Sequence, residues 1–421
     1  MKSLVELLRM VLLDCGDLCG VNPSQDITTI LRRVEYEGES FLTITLPEFS
    51  RGLERSLEDS RLQPSTFPSF KRWKRTCLPA FLRGFMSRIF DSNGTLLEEP
   101  DPIAVYAVRQ ICLFAKKILI PCTKERERRA ETRFLQCEKS LKGHVYDRAM
   151  LRVFESVSRV IVGDTFGRTS YGDPYQALRP RHGPGTTQEG LRGNRKYRFP
   201  SWPVRVERVF PYTEFAIASV RNFPGGVHFP ALTPEPRDEE PVRVVFVPKT
   251  LKTPRVIAIE PVAMMFMQQG LSDWMRPLIE DEGRYTAGHI RFTDQSVNSS
   301  LALTSSADRR LATIDMSDAS DLVPCVLVER MLRCVPTLRR YVFACRSSRA
   351  RLPSGDVIPL RKFASMGSAL CFPMEALVFF VAIVSVLIHR AGVRVTPSAV
   401  LKFSRGVHVY GDDIIVPAEM A

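Results

Sequence analysis

At 421 residues, 44% hydrophobic and 25% charged, the chain has the composition of an ordinary globular protein, long enough for two or three subdomains. Its 59 Lys and Arg against 46 Asp and Glu leave a net charge of +13, which points to a polyanionic partner, nucleic acid before a membrane surface; the bland alternative is a basic but inert surface. Ten scattered cysteines without a CxxC pair, and six dispersed histidines, exclude zinc-ligand spacing and read as a reducing, cytosolic chain.

The N-terminal MKSLVELLRMVLLDCGD breaks its apolar run with Glu6, Arg9 and Asp14, so it does not read as a signal peptide. Cys15 and Cys19 lie in this helical start and are expected to be buried thiols. Residues 1–180 are mostly helical in pattern. Their basic clusters KRWKR (71–75) and KERERR (124–129) each read, taken alone, as a solvated helix face. Residues 181–240 are rich in Pro, Gly and Arg and predict irregular structure with short strands.

From about 241 the texture becomes regular. VRVVFVPK (242–249) and PRVIAIEP (254–261) predict strands joined by the basic turn TLKT, and 262–280 predicts a helix. LATIDM (311–316) reads as a short, buried strand ending in an aspartate. Helical spacing over 319–345 is interrupted by Pro324 and Pro336, and ARLPSGDVIPL (350–360) predicts a hairpin around Ser354–Gly355–Asp356. A helix is expected over 374–390. Its apolar run, 376–388, is too short to span a bilayer and predicts a buried core helix of a soluble protein. HVYGDDIIVP closes the series, giving an α+β domain with a mainly antiparallel sheet.

In VHVYGDDIIVP, apolar strand formers flank a turn. Gly411 at its first central position suits a type II′ hairpin, with Asp412 at the sheet edge and Asp413 beside it. Adjacent carboxylates repel unless a cation lies between them, and hard oxygen donors at a tight turn suit Mg²⁺. An acidic tip in water is the bland reading. ATIDMSDASD supplies a second acidic strand end, Asp315, with Asp318 and Asp321 beyond it. Two metals a few ångströms apart need carboxylates from different strands, which Asp315 and Asp412 are placed to provide.

ATIDMSDASD, SMGSALCFPMEALVFF and VYGDDIIVP, in this order, resemble motifs A, B and C of an RNA-directed RNA polymerase palm, the replicase subunit of the single-stranded RNA bacteriophages (levivirus type). VPKTLKTPRVIAIEPVAMMFMQQG is similar to that family's basic fingertip segment, FTDQSVNSSLA to the stretch leading into motif A, and RHGPGTT (181–187) to a fingers signature. The resemblance implies a right-hand fold with residues 1–180 a helical part of the fingers, 181–305 fingers, and 306–421 a palm with an antiparallel sheet. The family continues past motif C into a general-acid lysine segment and a thumb. The expectation is therefore a chain lacking the thumb, either an incomplete copy of a longer replicase or a naturally short protein.

The resemblance also implies roles. Asp315, Asp412 and Asp413 would be catalytic metal ligands, with Asp413 in support. Two Mg²⁺ ions, or Mn²⁺ in their place, would activate the primer 3′-hydroxyl and steady the triphosphate. Asp321 would sense the ribose 2′-hydroxyl; a helix N-terminal acid is the bland alternative, and Asp318 fits that part, or Ser317 and Ser320 cap the helix. Lys249, Lys252 and Arg255 would face a triphosphate, or be solvated turn residues. Ser365, Met366, Gly367 and Ser368 would approach the nucleotide, with Ser368 where the family shows Asn. Gly183 and Gly185 would bend the chain close to RNA or form a structural turn. Phe372, Leu377, Phe380, Ile383 and Val384 read as core. Substrates would be ribonucleoside triphosphates and a single-stranded RNA template, in a bacterial host cytoplasm, with host translation proteins as co-subunits and no membrane. The rival readings are a catalytically silent RNA-binding remnant and a reverse transcriptase; Asp321 and the Gly411 turn count against the latter.

Overall fold

A computed structural model describes residues 2–167, 174–217 and 236–421. These divide into two compact units, one of residues 1–130 with 246–255, the other of 131–245 with 256–421.

The first unit is built on helices α1 (Lys2–Cys19), α2 (Ser24–Glu37), α3 (Leu46–Glu58) and α4 (Pro102–Leu113). On α1, Leu8, Leu12, Cys15 and Cys19 recur at helical spacing and are all buried, as expected for the two thiols. Asp101 caps α4, accepting from the Ile103 and Ala104 amides with Pro102 in the first turn. Phe41, Phe49, Phe67, Phe70 and Phe81 pack edge-on and stacked in the core. The 71–75 cluster is not helical. Arg72 bridges Pro79, and Trp73 lies under the Arg83 guanidinium. The expected helical face fails there because the segment folds back on itself.

Helix α5 (Lys124–Gly143) passes from the first unit into the second, and α6 (Arg148–Phe166) follows, capped by Asp147. The second unit contains strands β1 (Val242–Val247) and β2 (Arg255–Ile259), α7 (Val262–Pro277), α8 (Ser296–Asp308) and β3 (Leu311–Asp315). Then come α9 (Cys325–Met331), α10 (Pro336–Cys345), the hairpin β4 (Arg349–Arg351) and β5 (Val357–Pro359), α11 (Cys371–Arg390), α12 (Pro397–Ser404), β6 (His408–Tyr410) and β7 (Asp413–Pro417). The turn between β1 and β2 belongs to the first unit.

One sheet has the order β2-β1-β4-β5 and includes a parallel pair, Val242 opposite Ala350. The other, β3-β7-β6, is antiparallel throughout. Helix α11 is apolar on nearly every side and long enough to cross a membrane by composition. Most of it is buried inside this unit instead, with Leu377, Phe380 and Val384 at 0% exposure. Phe372 and Ile383 pack against the same core, as read from the sequence.

Candidate active site

Strand β7 is the middle of its sheet and carries the buried run Ile414, Ile415 and Val416. Strand β3 lies at the sheet edge. Its Leu311 and Ala312 are half-buried and its last three residues exposed, so the expectation of a buried strand is corrected. As an edge strand it pairs with a neighbouring strand on one side only, β7.

Register decides which carboxylates meet. Asp315 ends β3 directly opposite Asp413, the first residue of β7. Facing residues of an antiparallel pair point to the same side of the sheet, roughly 5 Å apart at Cβ. Asp412 sits in the two-residue turn between Tyr410 and Asp413. Of the two adjacent aspartates it is thus Asp413, not Asp412, that the register sets directly across from Asp315. All three side chains are exposed.

The turn has a steric cause. Gly411 has φ +63° whereas Asp412 stays at negative φ, the pattern of a type II′ turn. A Cβ on Gly411 would come within 2.1 Å of the Phe372 ring at the start of α11. Phe372 in turn packs edge-on against Tyr410 and Phe292. The hairpin tip is thus seated on α11.

Asp413 is held from a second direction. Its Oδ2 accepts from Gln295 Nε2 at 2.8 Å, and its main-chain carbonyl accepts from Asn298 Nδ2 at 3.2 Å. The segment that brings these amides is itself pinned. Buried Glu280 accepts from the Phe292 amide and the Thr293 hydroxyl, and Ile290 bridges Val409 of β6. Gln295 and Asn298 were missed as individuals in the sequence, although FTDQSVNSSLA stood out as a unit.

Beyond β3, Asp318 adopts a left-handed conformation and pairs with Arg133 Nε at 2.6 Å. Asp321 lies in a single 3₁₀ turn, Ser320–Leu322, with Oδ1 3.0 Å from Lys362 Nζ. Neither Ser317 nor Ser320 caps a helix here: Pro324 ends the turn after three residues, and it has no side-chain cap. Buried Glu375, on α11, is pushed up to about 8 by burial and then by the Asp412 and Asp321 carboxylates, so it is protonated at neutral pH.

The Ser365–Ser368 loop lies against β2. Gly367 has φ +127°, and a Cβ there would approach the Ala258 carbonyl to 2.2 Å, while the Ala258 amide donates to the Met366 carbonyl at 2.8 Å. Met366 is exposed and Ser365 buried, its hydroxyl without a hydrogen-bond partner. The Ser368 hydroxyl faces inward, to Gln268 Oε1 at 3.0 Å, and Gln268 also donates to the Cys345 carbonyl.

A scan against family models matches residues 225–421 to "RNA replicase, beta-chain". All the segments just described from β1 onward fall within that span. Over these residues, somewhat less than half of the chain, the sequence is similar to the RNA replicase beta-chain family. Curated relatives include the RNA-directed RNA polymerase subunit beta of Qbeta virus strain MX1, 32% identical over 56% of this chain and 35% of the relative. The subunit of Escherichia virus Qbeta is 36% identical over 42% of this chain and 27% of the relative. The beta chain of Escherichia phage MS2 is 33% identical over 42% and 29% respectively. The matched stretch thus spans about a third or less of these relatives' length.

The remaining candidates lie apart from the carboxylates in sequence. Lys249, Lys252 and Arg255 belong to the first unit, where Lys252 pairs with Glu48 at 3.1 Å. Gly183 and Gly185, outside the matched span, have their carbonyls taken by the buried Lys196 ammonium, at 2.8 Å for Gly185. Neighbouring His182 packs among Tyr197, Phe199 and Phe266, and burial followed by the Lys196 charge lowers it to about 4. This loop is built as a structural turn.

Among the described residues, no group of three or more His, Cys, Asp or Glu side chains converges as a ready-made metal cage. The donor set nevertheless suits Mg²⁺. That cation commonly takes one or two protein carboxylates and completes its shell with water and substrate phosphates. Two facing aspartates and a third in the adjoining turn offer hard oxygens of that kind.

Proposed function

We propose that this chain carries the nucleotidyl-transfer site of an RNA-phage RNA-directed RNA polymerase, copying single-stranded RNA from ribonucleoside triphosphates. The observation that carries the reading is the pairing of Asp315 with Asp413, next to Asp412 in the turn, inside the span that matches the replicase family. In this reading residues 306–421 are palm, 181–305 fingers, and 1–180 a helical contribution to the fingers.

Asp315, Asp412 and Asp413 would hold Mg²⁺. When bound, it lowers the pKa of the attacking 3′-hydroxyl and offsets the charge of the triphosphate. The chain's own residues prepare for this. Gln295 fixes the Asp413 carboxylate through a neutral amide, which orients it without neutralising it. Protonated Glu375 adds no further negative charge beside Asp412. Asp321 accepts the hydrogen bond of a ribose 2′-hydroxyl, the contact that separates ribonucleotides from deoxyribonucleotides. The Ser365–Ser368 loop brings backbone toward the nucleotide, and Lys249, Lys252 and Arg255 are cations of the type that grip triphosphate oxygens. The relatives' description as beta subunits supports assembly with further subunits, host translation proteins in this reading, in the cytoplasm of a bacterial host.

The test is Mg²⁺-dependent incorporation of labelled ribonucleotides on a short RNA template, by the chain and by Asp412→Asn. Synthesis that Asp412→Asn abolishes is expected. Synthesis indifferent to that substitution would sink the carboxylate site. RNA binding without synthesis by the unaltered chain would favour the silent RNA-binding reading.

A further inference from the structure

Lys362 has an unusual setting for a lysine. Its side chain is 0% exposed, with Nζ 3.0 Å from Asp321 Oδ1, 3.5 Å from Glu138 Oε1 and 3.4 Å from the centre of the Phe134 ring. A buried ammonium is costly unless paired, and here two carboxylates and an aromatic face surround it. Arg133, Phe134 and Glu138 all come from α5, so this helix reaches both acids of the turn after β3: Asp318 directly and Asp321 through Lys362.

The backbone around Lys362 is fixed to the same turn. The Arg361 amide donates to Glu138 Oε2 at 2.6 Å, the Cys325 amide to the Arg361 carbonyl, and the Phe363 amide to the Val323 carbonyl. The buried Arg346 guanidinium donates to the Leu360, Lys362 and Phe363 carbonyls, each at 2.8 Å. Asp321 is therefore gripped through one oxygen by a cation with little freedom to move. Its side chain remains 22% exposed, and its bond to Lys362 uses Oδ1, leaving Oδ2 for a ligand.

We infer that Lys362 is the positioning residue for sugar selection, holding Asp321 so that its second oxygen receives the 2′-hydroxyl of the incoming ribonucleotide, with Glu138 keeping Lys362 in place. This rests on the polymerase reading above and extends it to a residue whose type and position carried no signal in the sequence. A salt bridge serving stability alone would give the same distances, so the test must read the sugar.

The experiment compares kcat/KM for ribo- and 2′-deoxyribonucleoside triphosphates with the full chain on an RNA template. A hydrogen bond to a charged group corresponds to roughly a ten- to hundredfold effect. Lys362→Met is expected to lose about that much of the ribose preference, mainly through slower use of the ribonucleotide. Asp321→Asn is expected to lose the same preference, and the double variant no more than either single one. Lys362→Met combined with Glu138→Gln leaves no unpaired carboxylate at Glu138, and it keeps the test open if Lys362→Met does not fold. An unchanged ratio in a folded, active Lys362 variant would overturn the inference and leave the polymerase reading standing. Absence of ribonucleotide incorporation by the unaltered chain, or incorporation that Asp412→Asn does not affect, would remove the polymerase reading and this inference with it.

Discussion

Gly411→Ala probes the geometry that sets the acidic hairpin. An alanine at φ +63° costs about 1–2 kcal/mol in backbone strain. Its Cβ would also meet the Phe372 ring at 2.1 Å, and a ring packed against Tyr410 and Phe292 can yield only by disturbing the core. Overpacking of that kind adds about 1–3 kcal/mol. Gly288→Ala is the matched control: φ is +77°, and nothing lies within 4 Å of the added carbon. Urea unfolding followed by the fluorescence of Trp202 and Trp274, both in the second unit, reads the difference. Gly411→Ala should shift the midpoint well beyond Gly288→Ala. In a Phe372→Ala background the same substitution should cost only the backbone share. Equal shifts for the two glycines in the natural background would refute the steric argument, and with it the claim that α11 holds the turn.

Other consequences are testable in the same system. Burial, outweighing the Ser347 and Gln268 hydrogen bonds, raises Glu260 from 4.5 to about 7. A raised acid contributes fully below pH 4.5, and that contribution is lost as pH climbs through 7. Unfolding midpoints should therefore fall between pH 5 and 8, and fall less in Glu260→Gln, by up to about 3 kcal/mol; identical pH slopes would exclude the effect. Gln295→Ala should leave stability within about 0.5 kcal/mol yet slow incorporation roughly ten- to hundredfold, because Asp413 loses its orienting donor. Unaltered kinetics would make Gln295 a bystander. Lys196→Met strands the Gly183 and Gly185 carbonyls and should cost about 1–3 kcal/mol for each one left unpaired. Faster amide exchange across 183–187 would localise the loss, and unchanged protection would contradict it.

The sequence made the hairpins legible because their signals are local. Gly411 and Gly355 mark turns, and alternating or continuous apolar runs mark the strands beside them. Register was not legible in the same way. Asp412 and Asp413 look equivalent in the sequence, and only the pairing of β3 with β7 shows that Asp413 faces Asp315. The exposure of β3 was also hidden, since LATI reads the same at an edge as in the middle of a sheet. Long-range partners were the least accessible: Gln295, Glu375, Lys362 and Arg133 approach the acids from more than forty residues away or from the far side of a loop.

Their arrangement sorts the charge of the site. Asp318 is neutralised by Arg133, Asp321 by Lys362, and Glu375 keeps its proton at neutral pH. Asp315, Asp412 and Asp413 have no ion-pair partner among the described residues, and the one side-chain donor that reaches Asp413 is an uncharged amide. Seven acids would otherwise surround this end of the sheet as a diffuse negative field, if Glu138 beside Lys362 is included. Two cations set against Asp318, Asp321 and Glu138, and the proton kept by Glu375, leave one negative charge shared around Lys362 and concentrate the rest on Asp315, Asp412 and Asp413, at the mouth of a turn that sterics hold fixed. A cation drawn to this face meets its strongest attraction there, at short range and with little reorganisation of the protein. The supporting residues therefore matter as much for where they remove charge as for which carboxylate they hold.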